Sequence, residues 1–584
     1  MLGRRSFLAS LLLPALPLIA SVVAQHDVPE IRPQIPDADR NAPGRIFLEH
    51  ANVLTKAADE EYMVLVGDVV FTKGGMIMKC DSAHYYPETE SMNAYGNVSM
   101  EQGDTLFIYA DEMIYDGTPD VQTATLYSDP GKEVRLINRD VMLRTTEFVY
   151  NLGIDLGYYE VGGKLTDPSN TLTSVKGEYN PNTKEANFYD NVHLNSHNTE
   201  TDTLDIFTDS LYYNTDSRLA LLTSPSEVLN AQGTIYTRNG VYQTDSAIAF
   251  LFDRSTVVSN TGRILTADTI FYNRPDGFGE AIGNLVATDT VRNMSLNGDY
   301  GFFNQLTDSV FVTGKALLKE YSGEDTLYLH ARYIESFRKF DYTDVPEDTL
   351  IHREAYTRVD TSNVAVAYPR VQFYRSDLQG VCDSLRFTSL DSTLRMFELP
   401  VIWSEDRQVF GNVIEILLND STIERATLPD QGFTAQLIEG EHYNQLSGKE
   451  MIAYFHEGEM NRMDINGNVE IIMYPEEADS TINKLVSAES SYLEAHFKGR
   501  TTERIKMWPE TSGTAVPLFL ARPNLYYLPK FKWYGQWRPA SKEAIFNVSP
   551  EREQQMLENG RNIPEIRFEK LIYRYREFFD DPGS

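Results

Sequence analysis

Alternate positions are apolar after a phrase that recurs along this chain. It reads Gly67-Asp68-Val69, Gly96-Asn97-Val98, Asp190-Asn191-Val192, Gly283-Asn284-Leu285, Gly314-Lys315-Ala316 and Gly467-Asn468-Val469. One parity is then apolar: Val69 and Phe71, Val98 and Met100, Val192 and Leu194, Leu285 and Ala287, Ala316 and Leu318, Val469 and Ile471. The other parity carries Asp68, Asn97, Ser99, His193 and Glu470. Period-two patterning predicts β-strands with one dry and one wet face. The recurrent Gly fits a bend or a close backbone approach.

A second phrase answers the first: Cys80-Asp81-Ser82-Ala83-His84-Tyr85, with copies beginning at Ala110, Thr208, Ala267 and Cys382. Here the pattern changes phase. Met76, Met78 and Cys80 share one parity, yet beyond Asp81-Ser82 the apolar slots are Ala83 and Tyr85. Equivalent slots hold Met113 and Tyr115, Leu211 and Tyr213, Ile270 and Tyr272, and Leu385 and Phe387. A one-residue slip sends side chains to the opposite face, so the switch predicts a bulge or corner. Each strand bends partway and keeps its apolar side inward on both arms, and stacked copies make a trough.

Turn signals such as Asn180-Pro181-Asn182 and Asn214-Thr215-Asp216 favour hairpins and antiparallel neighbours, with a parallel β-helix as the competing stack. The phrases alternate with a period of roughly thirty residues, the mark of repeat units sharing one core. At about 4.8 Å between strands and two strands per unit, some fourteen units would span on the order of 140 Å.

The 584 residues exceed one ordinary domain unless they form such an array. Residues 1–24 read as a cleavable export signal, with Arg4 and Arg5 before the apolar stretch Phe7 to Val23; general and twin-arginine export both fit. A linker is expected over 25–45, a first array over 46–337, an irregular insertion over 338–370 and a second array over 371–510. A C-terminal cap or docking tail over 511–584 follows, with a helix starting at Ser549-Pro550. A net charge of −33 argues against a nucleic-acid partner, which needs clustered Lys and Arg, and fits a long solvated surface. Cys80 and Cys382 occupy equivalent slots in distant repeats, so they read as small buried apolar residues and not as a disulfide.

The ordered alternation of Ala110-Asp111 to Tyr115 and Ala267-Asp268 to Tyr272 with Gly96-Asn97-Val98 and Gly467-Asn468-Val469 resembles the OstA-like domain. That is the module of the LptA periplasmic bridge and of the periplasmic part of the outer-membrane lipopolysaccharide translocon. The resemblance covers about residues 40 to 510. It implies an all-β fold, an elongated antiparallel β-jellyroll or "taco" solenoid, whose apolar groove carries lipopolysaccharide acyl chains. It also implies a periplasmic setting near the outer membrane. Partners would be lipid A acyl chains and either other OstA-like transport components or a second copy joined by edge-strand pairing. This chain departs from the family in its much longer array, in the tail beyond Pro509 and in lacking strands for a translocon barrel.

No catalytic constellation competes with that expectation. The ten His are scattered, there is no His-Glu-x-x-His, paired Cys-x-x-Cys, Gly-rich phosphate loop or Gly-x-Ser-x-Gly elbow, and no metal or cofactor is expected. The recurrent Asp81, Asp111, Asp209, Asp268 and Asp383 suit turn amides better than an acid–base pair. Candidate lipid-binding residues are the inward stripe Val69, Phe71, Val98, Met100, Met113, Leu211, Ile270, Leu285, Leu385, Val469 and Ile471. From pattern alone, this stripe is equally a filled core. A β-helical polysaccharide lyase or hydrolase, and a scaffold without lipid, stand as the alternatives.

Overall fold

The computed structural model describes residues 45–196, 204–321, 323, 325–344, 357–419, 422–477, 481–499 and 501–558. The expected export signal and most of the linker lie outside these residues. The described strands form one continuous sheet, and every pairing between them is antiparallel. This excludes the parallel β-helix.

The sheet folds along its length into two arms. Strand Leu106–Asp116 pairs with Val134–Asn138 along residues 106–109 and with Thr123–Tyr127 along residues 112–116. The neighbours diverge at Ala110-Asp111, the predicted switch. The same split recurs in Leu204–Asn214, Met294–Asn304 and Lys484–Lys498. Arm one thus includes residues 69–73 and Val134–Asn138, and arm two includes residues 83–86 and Thr123–Tyr127.

The corner itself is built by both phrases together. Against strand Met76–Tyr86, strand Met63–Lys73 sets Gly67 and Asp68 opposite Asp81 alone, a β-bulge. Both bulged residues are left-handed, Gly67 at φ 83° and Asp68 at φ 47°. So are Gly96 and Asn97, Asp190 and Asn191, Gly283 and Asn284, Gly314 and Lys315, and Gly467 and Asn468. Gly tolerates this region freely and Asn or Asp better than other residues. The Asp of the second phrase fills the space beside the Gly: a Cβ at Gly96 would lie 2.5 Å from Asp81 Oδ2, and one at Gly283 2.6 Å from Asp268 Oδ2. The Asn amide then closes the corner, Asn97 Nδ2 donating to Asp81 at 2.8 Å and Asn284 Nδ2 to Asp268 at 2.7 Å.

Residues 338–370, expected to be an irregular insertion, depart from that reading. Tyr333–Asp344 and Thr357–Tyr368 pair with each other through twelve positions and continue the array on both sides. Their charged residues hide the strand pattern in the sequence; residues 345–356, between the two strands, lie outside the described residues.

Beyond strand Ser512–Pro517 the chain is described as far as Glu558. It turns back along the outer face of arm one, and four buried glutamines of the array receive it in order. Gln445 donates to Tyr526 O (2.7 Å) and accepts from Leu528 N (2.8 Å). Gln408 donates to Lys532 O and accepts from Tyr534 N. Gln379 accepts from Arg538 Nε (2.7 Å), and Gln372 donates to Ile545 O and Asn547 O. Tyr534 and Trp537 pack on Val381, Val401 and Trp403. The helix Pro550–Glu558, started by Ser549 Oγ on Arg552 N, buries Arg552, which donates to the Val371 and Cys382 carbonyls. Burial pulls the Arg552 guanidinium down to about 10.

Candidate functional site

All eleven stripe residues face the space between the arms, none is more than 7 % exposed, and all belong to one apolar cluster running the length of the array. Register explains the continuity. Starting at Phe71, directly paired residues of arm one form a single row: Met78, Met100, Ile108, Leu136, Leu143, Leu165, Leu172, Leu194, Ile206, Val228, Ile235, Val257, Leu265, Ala287, Leu296, Leu318 and Leu329. Each member meets the next across a strand boundary, so apolar surface is never interrupted over eighteen strands.

Arm two answers with a row nearer its rim, in which large and small residues alternate. Tyr115, Ala124, Tyr150, Gly157, Tyr179, Ala186, Tyr213, Ala220, Tyr242, Ala249, Tyr272 and Gly279 are paired in that order. The small residues leave room for large neighbours: the space a Cβ would take at Gly157 is held by the Phe148 ring and at Gly279 by the Phe303 ring. Burial raises the phenols of Tyr115, Tyr150, Tyr179 and Tyr213, that of Tyr115 to about 12.

The tyrosine hydroxyls and nearby polar groups tie this rim to the rim of arm one. Lys73 Nζ donates to Tyr115 O–H at 2.6 Å, and Asn138 Nδ2 to Tyr179 O–H at 3.0 Å. Tyr213 O–H donates to the fully buried Asp167 carboxylate at 2.6 Å, and Arg218 Nη1 pairs with the same oxygen at 2.8 Å. Asn170 Nδ2 spans from arm one to Tyr213 and to Thr244 of arm two. Over this stretch the trough is stitched shut. These rim residues were not among the sequence candidates. A signal existed: Lys73, Asn138 and Asn170 are polar residues on the apolar parity at strand ends.

The interior then opens. In the arm-one row, Phe71 through Val228 are 0–1 % exposed, but Val257, Leu265, Ala287, Leu296 and Leu318 are only half-buried. Tyr272 is half-buried where Tyr115, Tyr150, Tyr179 and Tyr213 are sealed. The facing arm offers less bulk here, with Gly279, Ala281 and Gly301 on its inner parity. The floor stays closed, since Ile270, Leu285 and Val312 are buried.

The corner carboxylates have structural work. Besides the Asn contacts, Asp111 takes Lys132 and the Asp129 amide, which lower its pKa. Cys80 and Cys382 are both buried and unbridged, and burial pushes the Cys80 thiol up to about 11. Among the described residues no cluster of three His, Cys, Asp or Glu could hold a metal, and no helix is long and apolar enough to cross a membrane.

No curated protein matches the chain. Among solved structures, it is similar to LptH of Pseudomonas aeruginosa, titled the LptA homologous periplasmic component of the lipopolysaccharide transport device. That match has 12 % identity over 23 % of this chain and 82 % of the other, with a TM-score of 0.17, too low to bear on the fold. The model of the OstA-like protein family matches residues 44–202 and 195–278, a span holding three of the six Gly- or Asp-led corners and the whole stitched segment. Over residues 44–278 this chain is similar to the OstA-like protein family.

Proposed function

We propose that this chain is an exported, periplasmic lipid-binding bridge that shields lipopolysaccharide acyl chains in its apolar interior on their way to the outer membrane. The observation that carries this reading is the unbroken apolar row within an OstA-like array. Acyl chains bind such a row by area and need no specific polar contact. At about 0.8 kcal/mol per buried CH₂, ten methylenes gain on the order of 8 kcal/mol. Along the half-buried stretch from Val257 to Leu318, register-equivalent sites on successive strands differ little in energy, so a chain can shift from one to the next without a chemical step. Three of the recurrent carboxylates, Asp81, Asp111 and Asp268, are engaged in corner contacts, which favours transport over an enzymatic reading. Other OstA-like components, or a second copy, would meet the array at its end strands.

Mass spectrometry of lipid carried by the protein purified from a lipopolysaccharide-producing periplasm tests this. Lipid A-containing species at near-stoichiometric amounts are expected. Folded protein that emerges free of lipid would favour the scaffold reading.

A further inference from the structure

Water and lipid can reach an apolar interior only where its walls part. The row from Phe71 to Val228 offers no such surface, while Val257 to Leu318 is half-exposed. At this change lies a cleft of about 330 Å³ between the rims. Gln232 contributes from a turn of arm one, and Ala247, Tyr272, Arg274, Pro275 and Gln305 contribute from arm two. Tyr272 links the cleft to the interior, for its ring continues the tyrosine row and it pairs with the buried Ala249. Directly behind it are Ile270 and Leu285, already on the closed floor.

Polar lip and apolar throat match an amphiphile. Arg274, which also engages a group of the protein itself, places a guanidinium at the mouth of a chain whose net charge is −33. A planar guanidinium suits a phosphate through paired N–H donors. Gln232 and Gln305 add amide donors and acceptors for hydroxyls of a sugar.

We propose that this cleft is the port by which acyl chains of a phosphorylated glycolipid enter the array, Arg274 holding the anionic head while the tails lie along residues 257–318. Residues 45–250 are then a filled strut that sets distance without carrying lipid. This rests on the lipid-binding reading and gives it a location and a direction of loading.

The test places p-benzoylphenylalanine at Tyr272 in the throat, Phe303 in the open segment or Tyr150 in the strut, within the full mature chain. Each folded variant, checked by circular dichroism, is irradiated with detergent-dispersed lipid A. Adducts are expected at Tyr272 and Phe303 and not at Tyr150. Arg274→Glu should cut both adducts about fivefold or more with phosphorylated lipid A, and leave them unchanged with the dephosphorylated lipid. Adducts at Tyr150 as strong as at Phe303, or adducts insensitive to Arg274→Glu, would overturn the port while leaving lipid binding intact. Absence of adducts at all three positions in folded protein would remove the lipid-binding reading, and the port with it.

Discussion

At the scale of single residues, the corner depends on a left-handed pair that few side chains accept. Gly283 has φ 76° and Asn284 φ 46°, and the space a Cβ would need at Gly283 is held by Asp268. Gly283→Val must therefore force a β-branched residue into the left-handed region and displace the Asp268 carboxylate from the Asn284 amide. The first effect costs about 1–2 kcal/mol and the second about 1 kcal/mol. Because stacked repeats open locally, the loss should appear as faster amide exchange over Phe278–Asp289 and Met294–Asn304, while residues 63–116 stay protected. The companion Asn284→Gly keeps the backbone shape and loses only the amide contact, so exchange should change little. Equal effects of the two would show that backbone handedness does not hold the corner.

At the scale of elements, the alternation of phases was enough to find the bent strand, because a bulge necessarily exchanges the two parities. The handed pair that makes the bend was harder to assign. Gly67-Asp68 looks like any turn dipeptide, and only the register shows it opposed to Asp81 alone. Inner faces were equally legible, since Val69, Leu211 and Ile270 needed nothing beyond period two. The stitched rims and the open segment were not, because both depend on which strands meet across the trough, a relation 41 to 46 residues apart in sequence. The surface that receives the tail was hidden for a similar reason. Gln372, Gln379, Gln408 and Gln445 sit on the outer parity, where a polar residue raises no question, yet each is at most 2 % exposed. Gln408→Leu would leave the buried Tyr534 N–H without its partner, about 1–3 kcal/mol, and would also remove the part-buried bond to the Lys532 carbonyl. We expect the segment 518–546 to become sensitive to limited proteolysis and the fluorescence of Trp403 and Trp537 to shift red. Unchanged protection would mean that the apolar contact of Tyr534 and Trp537 holds the tail without the glutamines.

At the scale of the molecule, a trough closed by its own strands still has two ends. At one end Phe47–His50 and Val53–Thr55 each pair only with Met63–Lys73; at the other, Thr501–Trp508 and Ser512–Pro517 each pair only with Lys484–Lys498, among the described strands. Each end therefore presents one short strand per arm with an unused row of N–H and C=O groups, flanked by exposed Val53 and Leu54 or Ile505 and Trp508. Unpaired edges of this kind recruit strands from other chains. The two ends differ in sequence, so a contact between them is heterologous and does not close on itself, and copies would add in line. Light scattering should then give a mass that rises with concentration, and Val53→Lys with Leu54→Lys should hold the protein as a monomer by setting charge on one edge. A lysine variant that assembles as the parent does would place the contact elsewhere. The same substitutions leave the cleft at Gln232 and Arg274 untouched, so lipid loading should persist in the monomer. Loading and end-to-end extension would then be separable properties of one sheet: the first set by where its rims part, the second by where its strands run out.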